Sequence, residues 1–245
     1  MRKIKIGKSG LHGCESGAIA TMLSDWLPVH PIAYLVANGE PPAPEVLQNI
    51  NRANAHIIAV DGGSATLLAA SVTPDCVMGD MDSLGEWVVQ KKEIPKILLP
   101  DQNKSDLEKS ILYLLERGVK YFILCGAWGG TRLDHAIANL DLLTAYAPRC
   151  RISMIIADAI IDGLSVENTA PNGLVLSTRI GSKLGLLPAG ENTTVTLRGV
   201  EYPLDQDELQ PGTHGVGNIV IADQIHIQIF SGCVRLIRMS KSMNV

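Results

Sequence analysis

The 245-residue chain has five cysteines and no C-x-x-C pair among them. Cys14, Cys76, Cys125, Cys150 and Cys233 are scattered and odd in number, and three sit in apolar, strand-like runs. Buried thiols in a reducing compartment fit that pattern better than a disulfide frame or a zinc site. Positive charge is not in excess: 21 Lys and Arg stand against 25 Asp and Glu, for a net charge of −4 and a pI near 5.9. That balance argues against a broad nucleic-acid footprint. No apolar run approaches the length of a membrane span, and the Met-Arg-Lys start lacks a continuous apolar signal-peptide core. The expectation is a cytoplasmic protein with neither a nucleic-acid nor a membrane partner, whose N-x-[ST] matches at Asn103 and Asn192 are chance. Internal repeats and low-complexity tracts are also missing. Gly7-Lys8-Ser9 is not a phosphate loop, because the glycine required five residues before Gly7 is Arg2. There is no kinase H-R-D or D-F-G and no G-x-G-x-x-G.

With 46% hydrophobic and 19% charged residues, the composition is that of a soluble globular protein of one large or two modest domains. From Pro31 onwards short apolar runs alternate with helical stretches. Runs at residues 32–37, 57–60, 76–78, 94–99, 121–125 and 152–156 read as strands. Between them lie helical stretches near 45–53, through Leu67 and Leu68, from Ser83 (with Glu86 as a capping box), from Ser105 (with Glu108) to near Gly118, and one with Leu133, Ile137 and Leu140 on one face. This alternation implies a parallel sheet with helices on both faces. After Arg151 the helices stop, and 193–198, 219–221, 225–230 and 234–238 are β-rich and partly alternating. The expected fold is therefore α/β plus all-β. Residues 31–155 form an open parallel-sheet α/β domain and 156–245 a β-sandwich, the change falling between Pro148 and Pro171. Residues 1–30 form an extension of unassigned role.

The polar residues have a positional logic. In an open parallel sheet, ligands bind outside the carboxyl ends of the strands. Four successive strand ends carry carboxylates: Asp61-Gly62-Gly63, Gly79-Asp80-x-Asp82, Asp101-Gln102 with Ser105-Asp106, and Gly129-Gly130-x-Arg132-x-Asp134-His135. Asp75 lies in the same stretch as Asp80 and Asp82. Two acids one residue apart in an extended segment point the same way and repel unless a cation joins them, for which a hard divalent ion carrying phosphates is the candidate. Each cluster also has an ordinary explanation. Gly62 and Gly63 suit a tight turn as well as a phosphate, and Asp106 suits a first helical turn. Lys109 suits a solvated helix face as well as a phosphate contact. Arg132, in a glycine-rich loop, suits bidentate phosphate binding, whereas His135 reads as structural.

Together with Pro74-Asp75 and Glu108-Lys109, these motifs resemble the thiamine pyrophosphokinase family over roughly residues 32–140. The resemblance implies transfer of a pyrophosphoryl group from ATP to the hydroxyethyl oxygen of thiamine, giving thiamine diphosphate and AMP. It also implies an α/β domain followed by a β-sandwich, and a homodimer with thiamine held between the α/β domain of one subunit and the β domain of the other. By motif, Asp80, Asp82 and Asp106 would hold Mg²⁺ and the triphosphate. Asp61, Gly62, Gly63, Gln102, Ser105, Lys109 and Arg132 would serve ATP and its phosphates, and Gln102, Ser105, Arg132 and Asp134 together would position the phosphates and the attacking hydroxyl. The β domain departs from the family. A Gly-Leu-Lys-Trp-type stretch that stacks on thiamine appears here as Gly199-Val-Glu-Tyr202, and the Ser-Asn pair near the pyrimidine as Gly217-Asn218. Ser64-Ala65 also replaces the usual Ala-Asn. Tyr202 and Asn218 are thus the expected thiamine contacts. The departures leave open a diphosphokinase acting on another heterocyclic alcohol, such as a hydroxymethylpterin or a thiamine analogue. A silent nucleotide- or thiamine-binding protein is the other reading.

Overall fold

Strands buried on both faces need continuous apolar runs, and the first half of the chain supplies them. The computed structural model describes residues 31–82 and 90–239. The segment 1–30 and the helix expected from Ser83 with Glu86 lie outside the described residues. Six strands, β1 (Ile32–Val36), β2 (Ala55–Val60), β3 (Cys76–Gly79), β4 (Lys96–Leu98), β5 (Tyr121–Cys125) and β6 (Arg151–Ile156), pair in parallel in the order β6-β5-β1-β2-β3-β4. Among the described residues, the helices between them are α1 (Pro44–Gln48), α2 (Gly63–Ala69), α3 (Asp106–Leu115) and α4 (Leu133–Tyr146). Leu107, Ile111 and Leu143 from α3 and α4 pack with Leu35, Phe122 and Met154 on one face. Leu47 and Leu67 from α1 and α2 pack with Val36, Ile57 and Ile123 on the other. Each fully buried side chain of this size contributes about 1.5–3 kcal/mol.

Helix α3 begins where its chemistry dictates. The Ser105 hydroxyl accepts the Glu108 N–H at 3.3 Å, and Asp106 and Glu108 in the first turn complement the helix dipole. The Glu108 carboxylate does a different job from the one a reciprocal capping box implies. It accepts the Tyr146 hydroxyl and the Lys104 ammonium, each at 2.7 Å, and so ties α3 to α4. Helix α1 is shorter than expected and stops at Gln48, because the Asn51 side chain accepts the Ala53 N–H and offers the backbone a turn instead. On α4 the expected apolar face is turned outward at its start. Leu133 and Ile137 are exposed, while Ala136, Asn139, Leu142, Leu143 and Tyr146 are buried.

The second half adds β7 (Ala159–Ser165), β8 (Leu174–Ser177), β9 (Lys183–Pro188), β10 (Thr193–Arg198), β11 (Leu204–Leu209), β12 (Asn218–Ile219), β13 (Gln224–Ser231) and β14 (Cys233–Met239). The α/β-plus-sandwich architecture is borne out, with one difference: the two halves share a sheet. The chain reverses after β6 through Ala157, at φ 48°, and β7 pairs antiparallel with β6. Strands β14, β9 and β12 then extend it, giving the ten-stranded order β12-β9-β14-β7-β6-β5-β1-β2-β3-β4. The second sheet, β11-β10-β13-β8, covers the far part of this one, and Leu164, Leu186, Val195, Ile227 and Leu236 fill the sandwich between them. Where the two halves meet, Ser153, Asp162 and Arg238 from β6, β7 and β14 form a buried polar seam. The Arg238 guanidinium donates to Asp162 at 2.8 Å and the Ser153 hydroxyl at 2.6 Å.

Candidate active site

Parallel pairing brings the carboxyl ends of β1 to β5 to one edge, and a cavity of about 520 Å³ opens there. Its walls include Asn38 after β1, Asp61 after β2, Asp80 after β3, Ser105 and Asp106 at the start of α3, and His135 on α4. The position is the switch point of the sheet, where the strands following β1 in sequence lie on both sides of it. Close packing builds the cavity wall. A Cβ at Gly63 would stand 1.8 Å from the Val36 carbonyl oxygen, so α2 can start against β1 only with a glycine there. That is a steric demand, which accounts for Gly63 without a phosphate; Gly62 beside it lines the cavity.

Three carboxylates meet in this region. One oxygen from each of Asp61, Asp80 and Asp82 lies within 4.8 Å of the others. Asp80 and Asp82 share a direction by a route other than strand alternation. The chain has already left β3, and Met81 takes a left-handed φ of 70°, folding a turn in which the Asp82 N–H donates to Asp80 at 3.3 Å. Asp61 joins them because β2 and β3 are neighbours. Such oxygen-only clusters suit a hard divalent cation. The backbone N–H of Asp82, with Lys109 and Gln102 in support, holds the Asp80 carboxyl below the usual carboxylate range. Asp106 stands just behind the trio. Its Oδ1 accepts the Asp80 N–H at 3.1 Å and forms an ion pair with the Lys109 ammonium at 2.7 Å.

Arg132 and Asp134 take a different position. They are largely exposed and bound to each other through two hydrogen bonds, at 3.0 and 2.7 Å. Arg132 holds the Asp134 carboxyl well below the usual range. Neither lines the cavity; from the same region His135 and Asn139 do. Asp75 is farther away still, at the amino end of β3, where it accepts the Ile57 N–H at 2.7 Å and the Arg52 guanidinium at 2.9 Å. It braces β2 and is no part of the cluster, although it sits only five positions before Asp80 in the sequence.

Tyr202 and Asn218 lie at the opposite edge of the sheet. The Asn218 side chain is buried and fully engaged. Its oxygen accepts the N–H groups of Tyr202 and Ile219, each at 3.0 Å, and its amide donates to the Tyr202 carbonyl at 2.7 Å. Tyr202 is 63% exposed. In the sheet order β12 is seven strand spacings from β2, roughly 34 Å at about 4.8 Å each.

Comparison with known proteins separates the same two regions. The family model "Thiamin pyrophosphokinase, catalytic domain" matches residues 47–154, and "Thiamin pyrophosphokinase, vitamin B1 binding domain" matches residues 175–234. The chain belongs to the thiamin pyrophosphokinase family. The catalytic-domain match contains Asp61, Asp80, Asp82, Asp106, Arg132 and Asp134, and the vitamin B1-binding match contains Tyr202 and Asn218. Thiamin pyrophosphokinase 1 of Caenorhabditis elegans is 25% identical over 210 residues, covering 80% of this chain and 85% of the relative. Thiamine pyrophosphokinase of Bacillus subtilis is 26% identical over 191 residues, covering 74% and 86% respectively. The crystal structure of the Bacillus subtilis thiamine pyrophosphokinase has the same fold, with a TM-score of 0.73 at 22% identity over 85% of this chain and 98% of that one. That of Geobacillus thermodenitrificans does too, with a TM-score of 0.72 at 24% identity over 87% of this chain and all of that one.

Proposed function

We propose that this protein is a thiamine pyrophosphokinase that uses ATP and Mg²⁺. The observation that carries this reading is the convergence of Asp61, Asp80 and Asp82 within 4.8 Å beside a cavity at the carboxyl ends of the strands. Convergence favours a reacting site over a silent binding protein. The donor set fits Mg²⁺, being carboxylate oxygens alone, and Asp80 and Asp82 with Asp61 would hold the ion. When bound, Mg²⁺ supplies neutralisation of phosphate charge and lowers the cost of alcohol deprotonation.

The residues of the chain do the rest. Gln102, in the loop before α3, and Ser105, its N-cap, offer the triphosphate polar groups and the positive end of a helix dipole. Asp106 fixes the turn that presents Asp80 and Asp82. Arg132, exposed and paired with Asp134 at the rim, offers a guanidinium to the phosphates. Because Arg132 keeps the Asp134 carboxyl low, that group is ionised and a poor proton acceptor at neutral pH. The thiamine hydroxyethyl oxygen attacks the β-phosphorus of ATP, the bridging bond to the α-phosphate breaks, AMP leaves, and the alcohol proton passes to solvent. Tyr202 offers an aromatic face to the cationic acceptor, and Asn218 holds the backbone that carries it.

A homodimer completes this reading. Roughly 34 Å separates the carboxylates from Tyr202 along one chain, farther than a small alcohol reaches, so the acceptor groups serving one cavity come from a second copy. The test is a coupled assay with ATP, Mg²⁺ and thiamine, which is expected to yield AMP and thiamine diphosphate in equal amounts and to stop on adding EDTA. No AMP with thiamine, or AMP with a hydroxymethylpterin instead, would overturn it.

A further inference from the structure

We infer that Lys109 is a positioning residue for the acidic turn, acting through Asp106. Its ammonium locks Asp106 onto the Asp80 backbone and holds Asp80 and Asp82 facing Asp61 before any ligand arrives. The inference deepens the proposed function and rests on it only for what the turn binds.

Lys109 lies one turn into α3, where a solvated lysine would extend into water, yet it is 6% exposed. Burying an ammonium is costly unless it is paired and hydrogen-bonded. Here it is both. The Nζ lies 2.7 Å from Asp106 Oδ1 and donates to the Leu99 carbonyl at 2.8 Å. The same Asp106 oxygen accepts the Asp80 N–H at 3.1 Å, and the Leu99 N–H donates to the Gly79 carbonyl at 2.8 Å. These four contacts close a ring through the ends of β3 and β4 and the first turn of α3. Gly79 sits inside it at φ 149°, and a Cβ there would press to 3.3 Å from Asp106 Oδ1. Lys109 lines the cavity, but two of its three ammonium protons face Asp106 and Leu99, and withdrawing it would strand a half-buried carboxylate beside three others. The geometry therefore makes Lys109 a fixed counter-ion that works through Asp106.

The deciding experiment follows amide hydrogen exchange by NMR in the protein free of metal and nucleotide. Lys109→Met and Asp106→Ala should each speed exchange at the Asp80 amide by about tenfold or more, with the amides of the last two turns of α3 unchanged. A merely structural lysine would loosen the helix as a whole. Unchanged exchange at Asp80 in Lys109→Met overturns the inference. Should Lys109→Met fail to fold through its stranded carboxylate, the Asp106→Ala/Lys109→Met pair carries the test. Its kcat and ATP KM should stay within about threefold of Asp106→Ala alone, because Lys109 acts through Asp106. A further rise in ATP KM of about tenfold would show a direct phosphate contact and overturn it. Absence of AMP formation by the unaltered protein would refute the proposed function and leave the exchange measurement still decisive here.

Discussion

The two ends of the ten-stranded sheet differ in how they hold polar groups. At the β2 and β3 ends, four carboxylates and a buried lysine gather beside one cavity, and the backbone is folded tightly to place them. At the β12 edge, one exposed ring is presented by one buried amide. The first arrangement brings like charges together, which a cation would relieve; the second presents an aromatic residue to solvent. A reaction joining a metal-bound polyphosphate to an aromatic alcohol needs one of each. On the proposed reading, the seven strand spacings between β12 and β2 call for groups from two copies of the chain.

The largest effect expected is on the carboxylate side. Asp80→Asn or Asp82→Asn should lower kcat by about 10³-fold or more, with an unchanged circular-dichroism spectrum. Near-normal turnover in both would mean that the cation is held elsewhere. On the far edge, Tyr202→Ala should raise the thiamine KM by about ten- to thirtyfold, the equivalent of ~2 kcal/mol of cation–aromatic contact, with the ATP KM unchanged. An equal rise for ATP would blur the separation between the two ends. The opposite end of β3 sharpens it. Asp75→Asn should cost about 1 kcal/mol in urea unfolding and leave kcat intact, because Asp75 only braces β2. The smallest effect concerns the strand bodies. Burial pushes the thiols of Cys76 up to about 11 and Cys125 up to about 12, so both are protonated at pH 8 and gain thiolate only as pH rises towards those values. Mass spectrometry after iodoacetamide at pH 8 should find both unlabelled in the folded protein.

How far such features can be read from a chain depends on whether they are local. The apolar runs of β1, β2, β3 and β5 announce themselves because each strand is buried on both faces. Strand β11 does not: Leu-Asp-Gln-Asp-Glu-Leu has the composition of a solvated loop, and only pairing with β10 at the sheet edge makes it extended. The continuous sheet escapes notice for the same reason, since the β6–β7 reversal is one left-handed residue at Ala157. In the site, Asp80 and Asp82 are neighbours in sequence and were natural partners. Asp61 joins them only through β2–β3 adjacency, and Asp75 is misleading because four residues of strand, roughly 13 Å, separate it from the cluster. The inward turn of Lys109 is a packing outcome that composition alone cannot distinguish from a solvated lysine.

The central claim, that one cavity draws its carboxylates from one chain and its acceptor groups from another, can be tested by mixing Asp80→Asn and Tyr202→Ala proteins under conditions that let subunits exchange. Each homodimer is crippled at both sites. Half of randomly re-formed dimers are mixed, and one of the two sites in each carries neither substitution, so turnover at low thiamine should recover to about a quarter of the wild-type value. A mixture no more active than the average of its two components would contradict the account, because it would place both sets of groups in the same chain.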